Sequence, residues 1–211
     1  MDQTPVWLSI GSTGKTVDIK GSKNVNGYLP KGVNPREKIS VILACDSKGE
    51  KLPPAIIVKS GVRAKPFEYL NGVLVFNNPK TSMANSDIMS KWIELTIPFE
   101  DNKKTMLILD SFRGHLTEQV KKTCDNRNLV RAVIPGGMTK YLQPLDLTVN
   151  RSFKSKVKKY YRRIACNHVK DEGQTWRSLN MDVFTKVIRN AWEEWGRGFN
   201  RSHKKWISED D

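Results

Sequence analysis

Thr105-Met106-Leu107-Ile108-Leu109-Asp110, followed by Ser111-Phe112-Arg113-Gly114-His115, is a short apolar strand that ends in a carboxylate. Its nearly continuous apolar run predicts a strand buried on both faces. Thr117 to Arg127 then reads as a helix, and Val130 to Ile134 as a second buried strand stopped by Pro135-Gly136-Gly137. Strand, helix and strand with short joints predict a parallel pair joined by a right-handed crossover.

Upstream, residues 4–10 read as the tail of a strand and Thr16 to Lys20 as its hairpin partner, with Gly11 and Gly14 in the turn. Lys38 to Ala44 is rich in β-branched residues and reads as a strand. Asp46-Ser47-Lys48-Gly49 is the turn after it, and Ala55 to Val58 the returning strand. Pro53 and Pro54 confine the start of that strand to an edge or a bulge. Residues 59–82 are less regular, with one short strand at Val73 to Phe76. Asn85-Ser86-Asp87 caps a helix carrying Ile88, Met89, Trp92, Ile93, Leu95 and Ile97.

Downstream, Pro144 suits a first helical turn. Leu145, Val149, Phe153, Val157, Tyr160/Tyr161 and Ile164 then recur every three or four residues, one apolar stripe along a long helix. A last helix runs from about Leu179 to Trp195, with Val183, Val187, Ile188, Ala191 and Trp192 inward. The fold class is α/β: an antiparallel meander extended by parallel strands into one mixed sheet, flanked by helices.

The chain has 211 residues, enough for one ordinary core, with 38% hydrophobic and 27% charged residues. No apolar run reaches the roughly 20 residues of a membrane span, and no basic segment followed by an apolar stretch opens the chain. The net charge of +14 calls for an acidic partner, nucleic acid first. Cys45, Cys124 and Cys166 are too few for a disulfide framework, and with His115, His168 and His203 they make no zinc spacing. Reduced thiols in an intracellular protein follow.

Three aspartates stand out. Asp110 ends its strand, Asp146 lies in Tyr141-Leu142-Gln143-Pro144-Leu145-Asp146, and Asp2 lies in Met1-Asp2-Gln3-Thr4-Pro5. Cleaving a phosphodiester requires stabilising both the attacking and the leaving oxygen, a task suited to two divalent ions on carboxylates. Mg²⁺ or Mn²⁺ takes oxygen ligands, and strand ends and first helical turns hold carboxylates firmly. Each aspartate also has a plainer reading: Asp110 as a cap of the following helix, Asp146 as a first-turn acid favoured by the helix dipole, Asp2 as a terminal residue.

The blocks around them are specific. Leu107-Ile108-Leu109-Asp110 with His115, and Leu142-Gln143-Pro144-Leu145-Asp146, resemble two motifs of the pogo/Tigger branch of the Tc1/mariner transposases. Met1-Asp2-Gln3-Thr4-Pro5 is similar to that branch's opening block, and Lys48-Gly49-Glu50-Lys51-Leu52-Pro53-Pro54 to its early hairpin. Gln3 stands where the family has Glu, and Ser111 where Asn is frequent. The resemblance covers residues 1 to about 165. It implies an RNase H-like fold with its first strand truncated, residues 1–165 forming a DDE endonuclease/transposase domain and 166–211 a C-terminal helical extension with a basic tail. It implies Asp2, Asp110 and Asp146 as catalytic ligands of two Mg²⁺ or Mn²⁺ ions, double-stranded DNA as partner, action in the nucleus, and no membrane association; a homodimer is left open. His115 is a motif residue whose simplest reading is packing between loop and helix. The family's upstream helix-turn-helix modules are expected elsewhere in a longer transposase-derived chain.

Between Asn150 and Arg163 lie seven cations and no acid: Arg151, Lys154, Lys156, Lys158, Lys159, Arg162 and Arg163. A row of cations on one helix face tracks a phosphate backbone by shape. The plainer readings are a solvated face or a nuclear localisation signal. Arg197, Arg201, Lys204 and Lys205 extend the basic character. Two functions compete: a metal-dependent DNA endonuclease and strand transferase, or a domesticated relic that binds DNA or protein and no longer cuts.

Overall fold

The computed structural model describes residues 1–7, 38–59, 65–99, 103–172 and 181–195. The expected strand at Thr16 to Lys20 and the basic residues beyond Gly196 lie outside them. Strand β1 (Asp2–Trp7) runs antiparallel to β2 (Lys38–Leu43), with Asp2 opposite Leu43 and Trp7 opposite Lys38. Strand β3 (Ala55–Lys59) returns antiparallel to β2. Asp46 makes the turn between them, its side chain accepting from Lys48 N at 2.9 Å and Glu50 N at 2.8 Å. Strands β4 (Phe67–Leu70) and β5 (Val73–Asn78) form a hairpin, and β5 lies parallel to β3, giving the order β1-β2-β3-β5-β4.

Two expectations are corrected here. Strand β3 is interior, not an edge, because Pro53 and Pro54 precede the ladder and cost it no donor. Residues 67–78 are a hairpin and not irregular. Its turn is Asn71-Gly72, whose φ values of 52° and 78° are those of the type I′ turns that match strand twist.

Helix α1 (Ser86–Thr96) is capped by Asn85, whose side chain accepts from Ile88 N at 2.9 Å. Strand β6 (Thr105–Asp110), helix α2 (Glu118–Asp125) and strand β7 (Leu129–Ile134) make the expected parallel pair with a helical crossover. The pair forms a separate two-stranded sheet rather than continuing the first. The sheets meet where Met1 N donates to Ile108 O at 2.8 Å. Strand β6 is also not buried on both faces. Leu107 and Leu109 face inward, whereas Met106 (61% exposed), Ile108 and Val130 (52% exposed) stand exposed on the other face. The all-apolar run hides this alternation.

A four-residue helix α3 (Thr139–Leu142) and a π-helical turn (Leu145–Val149) lead into the long α4 (Asn150–Glu172); α5 (Met181–Glu194) follows. The residue 165/166 boundary falls inside α4. The five-stranded sheet divides two cores. On one face Val6, Val41, Leu43, Ile56 and Val75 meet Leu145, Val149, Phe153, Val157 and Tyr161, the predicted stripe, together with Phe184, Ile188 and Trp192 of α5. On the other Ile42, Ile57 and Phe76 meet Met89, Trp92 and Ile93 of α1, Leu109 of β6 and Val120 of α2. Each such buried side chain contributes about 1.5–3 kcal/mol. Lys51, from the turn before Pro53, locks α5 in place: its Nζ donates to the carbonyls of Trp192, Glu193 and Trp195 at 2.7–2.9 Å, satisfying and complementing a helix C-terminus. The result is a mixed α/β fold with a mixed sheet between helical layers.

Candidate functional site

Alternation along β1 puts Asp2, Thr4 and Val6 on one face, toward α4. That face delivers a carboxylate, 4% exposed, to the start of the helix. Asp2 Oδ1 accepts from Gln3 N and from Gln143 Nε2, each at 2.8 Å, and Asp2 Oδ2 accepts from Asn150 Nδ2. The same Asn150 Nδ2 donates to Asp146 Oδ1 at 2.7 Å. One amide nitrogen thus spans two carboxylates that are 144 positions apart in sequence (146 minus 2). Asp146 is exposed, on the π-helical turn one turn before Asn150.

Electrostatics follow from this arrangement. Burial, followed by the neighbouring Asp146 charge, pushes the Asp2 carboxyl up to about 6, while the Asn150 amide and Gln3 N–H oppose the shift. A buried carboxylate beside a second one is a place where positive charge is wanted.

Asp110 is held differently. Its Oδ1 accepts from His115 Nδ1 at 2.7 Å and from Phe112 N at 3.2 Å. The His115 hydrogen bond, more than any other influence, holds the Asp110 carboxyl below its usual value. His115 reaches back because the chain folds into a 3-10 turn, Arg113–His115. Gly114 permits that turn: a Cβ there would sit 2.9 Å from Ala84 O and from the Phe112 ring. Phe112 packs edge-on against the imidazole at 5.3 Å.

The structure therefore joins Asp2 to Asp146 and places Asp110 at the end of β6, the strand that abuts Met1 through Ile108. Asp110 shares no hydrogen bond with the other two, and among the described residues no three His, Cys, Asp or Glu side chains gather at cation-holding distances. The donor chemistry nevertheless fits a hard divalent ion. Gln143 Oε1 and Asn150 Oδ1 are buried acceptors with no hydrogen-bond partner, next to the Asp2–Asp146 pair. Carboxylates plus amide oxygens are the ligand set of Mg²⁺, Mn²⁺ or Ca²⁺. Sequence reading assigned no role to Gln143 or Asn150. The available signals were the place of Gln143 beside Asp146 and the four-residue step from Asp146 to Asn150, which puts both on one helical face.

On α4, Arg151, Lys154, Lys158 and Arg162 recur every three or four residues and make one line away from the buried stripe. At 1.5 Å per residue it extends about 16 Å, starting beside Asn150. Arg163 lies off it, also exposed. Lys156 and Lys159 are engaged otherwise: their Nζ atoms lie 3.0 and 3.6 Å from Glu194 Oε1 on α5. With Lys156 and Tyr160 bound to it, the Glu194 carboxyl is pulled down to about 2.

Residues 36–196 match the family model of the DDE superfamily endonucleases. The chain is 29% identical over 216 residues to a human "Pogo transposable element with KRAB domain", covering 96% of this chain and 34% of that protein. The mouse protein of that name is 30% identical over 226 residues, covering 100% of this chain and 36% of it. A human "Pogo transposable element with ZNF domain" is 26% identical over 128 residues, 59% of this chain and 9% of that protein. The chain spans about a third of the length of the two KRAB-containing relatives. No solved structure matches.

Proposed function

The chain belongs to the DDE superfamily endonuclease family as a pogo-type transposase domain, and from that premise we propose that it is a metal-dependent DNA endonuclease and strand-transferase unit with an RNase H-like fold. Asp2, Asp110 and Asp146 are the proposed catalytic residues and metal ligands. Two Mg²⁺ or Mn²⁺ ions held there would supply Lewis-acid stabilisation to the attacking and leaving oxygens of a phosphodiester. The observation that carries this reading is Asp2: a buried carboxylate held against the Asp146 carboxylate is expensive to maintain unless a cation is its partner.

The other residues bind and orient. His115 fixes the Asp110 carboxylate, as outer partners of metal ligands do. Arg151, Lys154, Lys158 and Arg162, with Arg163 beside them, receive the phosphates of double-stranded DNA, which the line on α4 would lead toward the carboxylates. Lys156 and Lys159 belong to the same basic helix and also brace it on Glu194. Residues 166–211 are the proposed C-terminal helical extension with a basic tail, of which α5 packs against the sheet of the 1–165 unit. The setting is nuclear.

A second reading has its own support. The relatives are named for KRAB and ZNF domains, and Asp110 is hydrogen-bonded to His115 and Phe112 rather than to the Asn150 amide that joins Asp2 and Asp146. A domesticated domain that binds DNA without cutting fits both observations. Nicking of supercoiled DNA with Mn²⁺, alongside a DNA gel-shift measurement, separates the two. Cutting by the wild type that is lost in Asp110→Ala with retained binding supports the endonuclease; binding without cutting by either protein supports the relic.

A further inference from the structure

Asn150 is 4% exposed, the first residue of α4, and its amide stands between two carboxylates. Its Nδ2 donates to Asp2 Oδ2 and to Asp146 Oδ1. This orientation is dictated by charge: Oδ1 in that position would put a third acceptor against two anions. The amide oxygen consequently points elsewhere, buried, with no hydrogen-bond partner, and Gln143 Oε1 is buried and unpartnered in the same way. Buried acceptors are seldom left unpaired, and here two hard oxygen donors of the kind Mg²⁺ and Mn²⁺ accept flank one pair of carboxylates.

A cation between Asp2 and Asp146 reverses the preference. It repels the amide hydrogens and attracts the amide oxygen. The terminal torsion of an asparagine is broad and roughly two-fold, so half a turn exchanges Nδ2 for Oδ1 without moving the backbone. Asp146 and Asn150, joined by one π-helical turn, keep their spacing through the exchange.

We propose that Asn150 is a two-state member of the metal centre: its nitrogen clamps Asp2 to Asp146 when no cation is bound, and its oxygen joins them as a ligand to a hard divalent cation. This deepens the endonuclease reading and rests on its metal centre, but adds a residue outside the three aspartates.

Mn²⁺ binding by calorimetry, with melting in EDTA, tests the idea on the full chain at pH 7.5. Asn150→Ala should melt lower without metal and bind Mn²⁺ at least about tenfold more weakly, the loss typical of removing a group that supports a metal site. Asn150→Asp should also melt lower without metal, since three carboxylates then repel, yet bind Mn²⁺ as tightly as the wild type or more so. A role in helix structure alone would lower both melts and leave both affinities at the wild-type value, and that result overturns the proposal. If Asn150→Ala does not fold by circular dichroism, weakened Mn²⁺ binding by Asn150→Asp overturns it instead. Asp146→Ala is the control. Wild-type binding that Asp146→Ala abolishes while Asn150→Ala keeps the wild-type affinity would sink the Asn150 proposal alone. No Mn²⁺ binding by the wild type would sink the metal centre and this proposal together.

Discussion

His115 donates through Nδ1 to Asp110 Oδ1 at 2.7 Å, from five residues further along the chain. The carboxylate is the acceptor, so the hydrogen sits on Nδ1. Its ring is 1% exposed, wedged by Phe112, and Nε2 has no partner. The imidazole is therefore more than a packing residue: it sets where the Asp110 oxygens point. His115→Ala should reduce Mn²⁺-dependent nicking by about 10- to 100-fold, as loss of a ligand's outer partner does. His115→Asn, whose amide can still donate, should recover part of the rate. Equal rates for the wild type and His115→Ala across a Mn²⁺ titration would remove His115 from the site.

Parts of this arrangement are written locally in the sequence. The Asn85 cap and the Leu145-Val149-Phe153-Val157 stripe involve neighbours a few residues apart, and both are where periodicity puts them. The Asn71-Gly72 hairpin was equally local and available from turn chemistry, but Phe67 to Leu70 is nearly all exposed and lacks the alternation that marks a half-buried strand. The π-helical turn leaves no trace, because the four-residue steps of the stripe pass through it unchanged. The Asn150 bridge to Asp2 joins residues 148 positions apart. Such a contact is set by how β1 docks on α4 and has no local signature.

Asp2 makes a pH prediction. Its carboxyl is raised by burial, so the stability it allows is fully present below its ordinary value and is lost as pH rises through the folded value. A rise from 3.8 to about 6 corresponds to roughly 3 kcal/mol at 1.36 kcal/mol per unit. In EDTA the wild-type melting temperature should fall between pH 4 and pH 7.5, and Asp2→Asn should flatten that fall. Adding Mn²⁺ at pH 7.5 should raise the wild-type melt and leave Asp2→Asn nearly unmoved. A wild-type melt in EDTA that does not fall between these pH values would contradict the buried charge.

Glu194 makes the opposite one. Lys156, Tyr160 and Lys159 depress its carboxyl to about 2 from an ordinary value near 4.5, so its contribution is present above 4.5 and disappears as pH falls through 2. The contact ties α5 to α4 at the level of Trp192 and Trp195, whose stacked rings lie 5.3 Å apart at 8°. Near-ultraviolet circular dichroism of that tryptophan pair should persist to about pH 3 in the wild type, by the depressed carboxyl. Glu194→Gln should weaken the signal already at neutral pH and make it insensitive to acid in this window. A signal that Glu194→Gln leaves untouched would mean the ion pair does not hold the helix.

The two roles of the cations on α4 can be separated by salt. Lys158 and Arg162 lie on the exposed line, whereas Lys156 is paired with Glu194. Every cation withdrawn from a phosphate lowers the slope of log affinity against log salt by about 0.9 on duplex DNA. Lys158→Glu combined with Arg162→Glu should therefore weaken binding at low salt, flatten the slope by nearly 2 and leave the melting temperature close to wild type. Lys156→Glu should do the reverse, placing a carboxylate against Glu194 and lowering the melt with little change in slope. The doubly substituted protein keeping the full wild-type slope would take this line out of the DNA interface, and would leave the +14 charge to act through other surfaces.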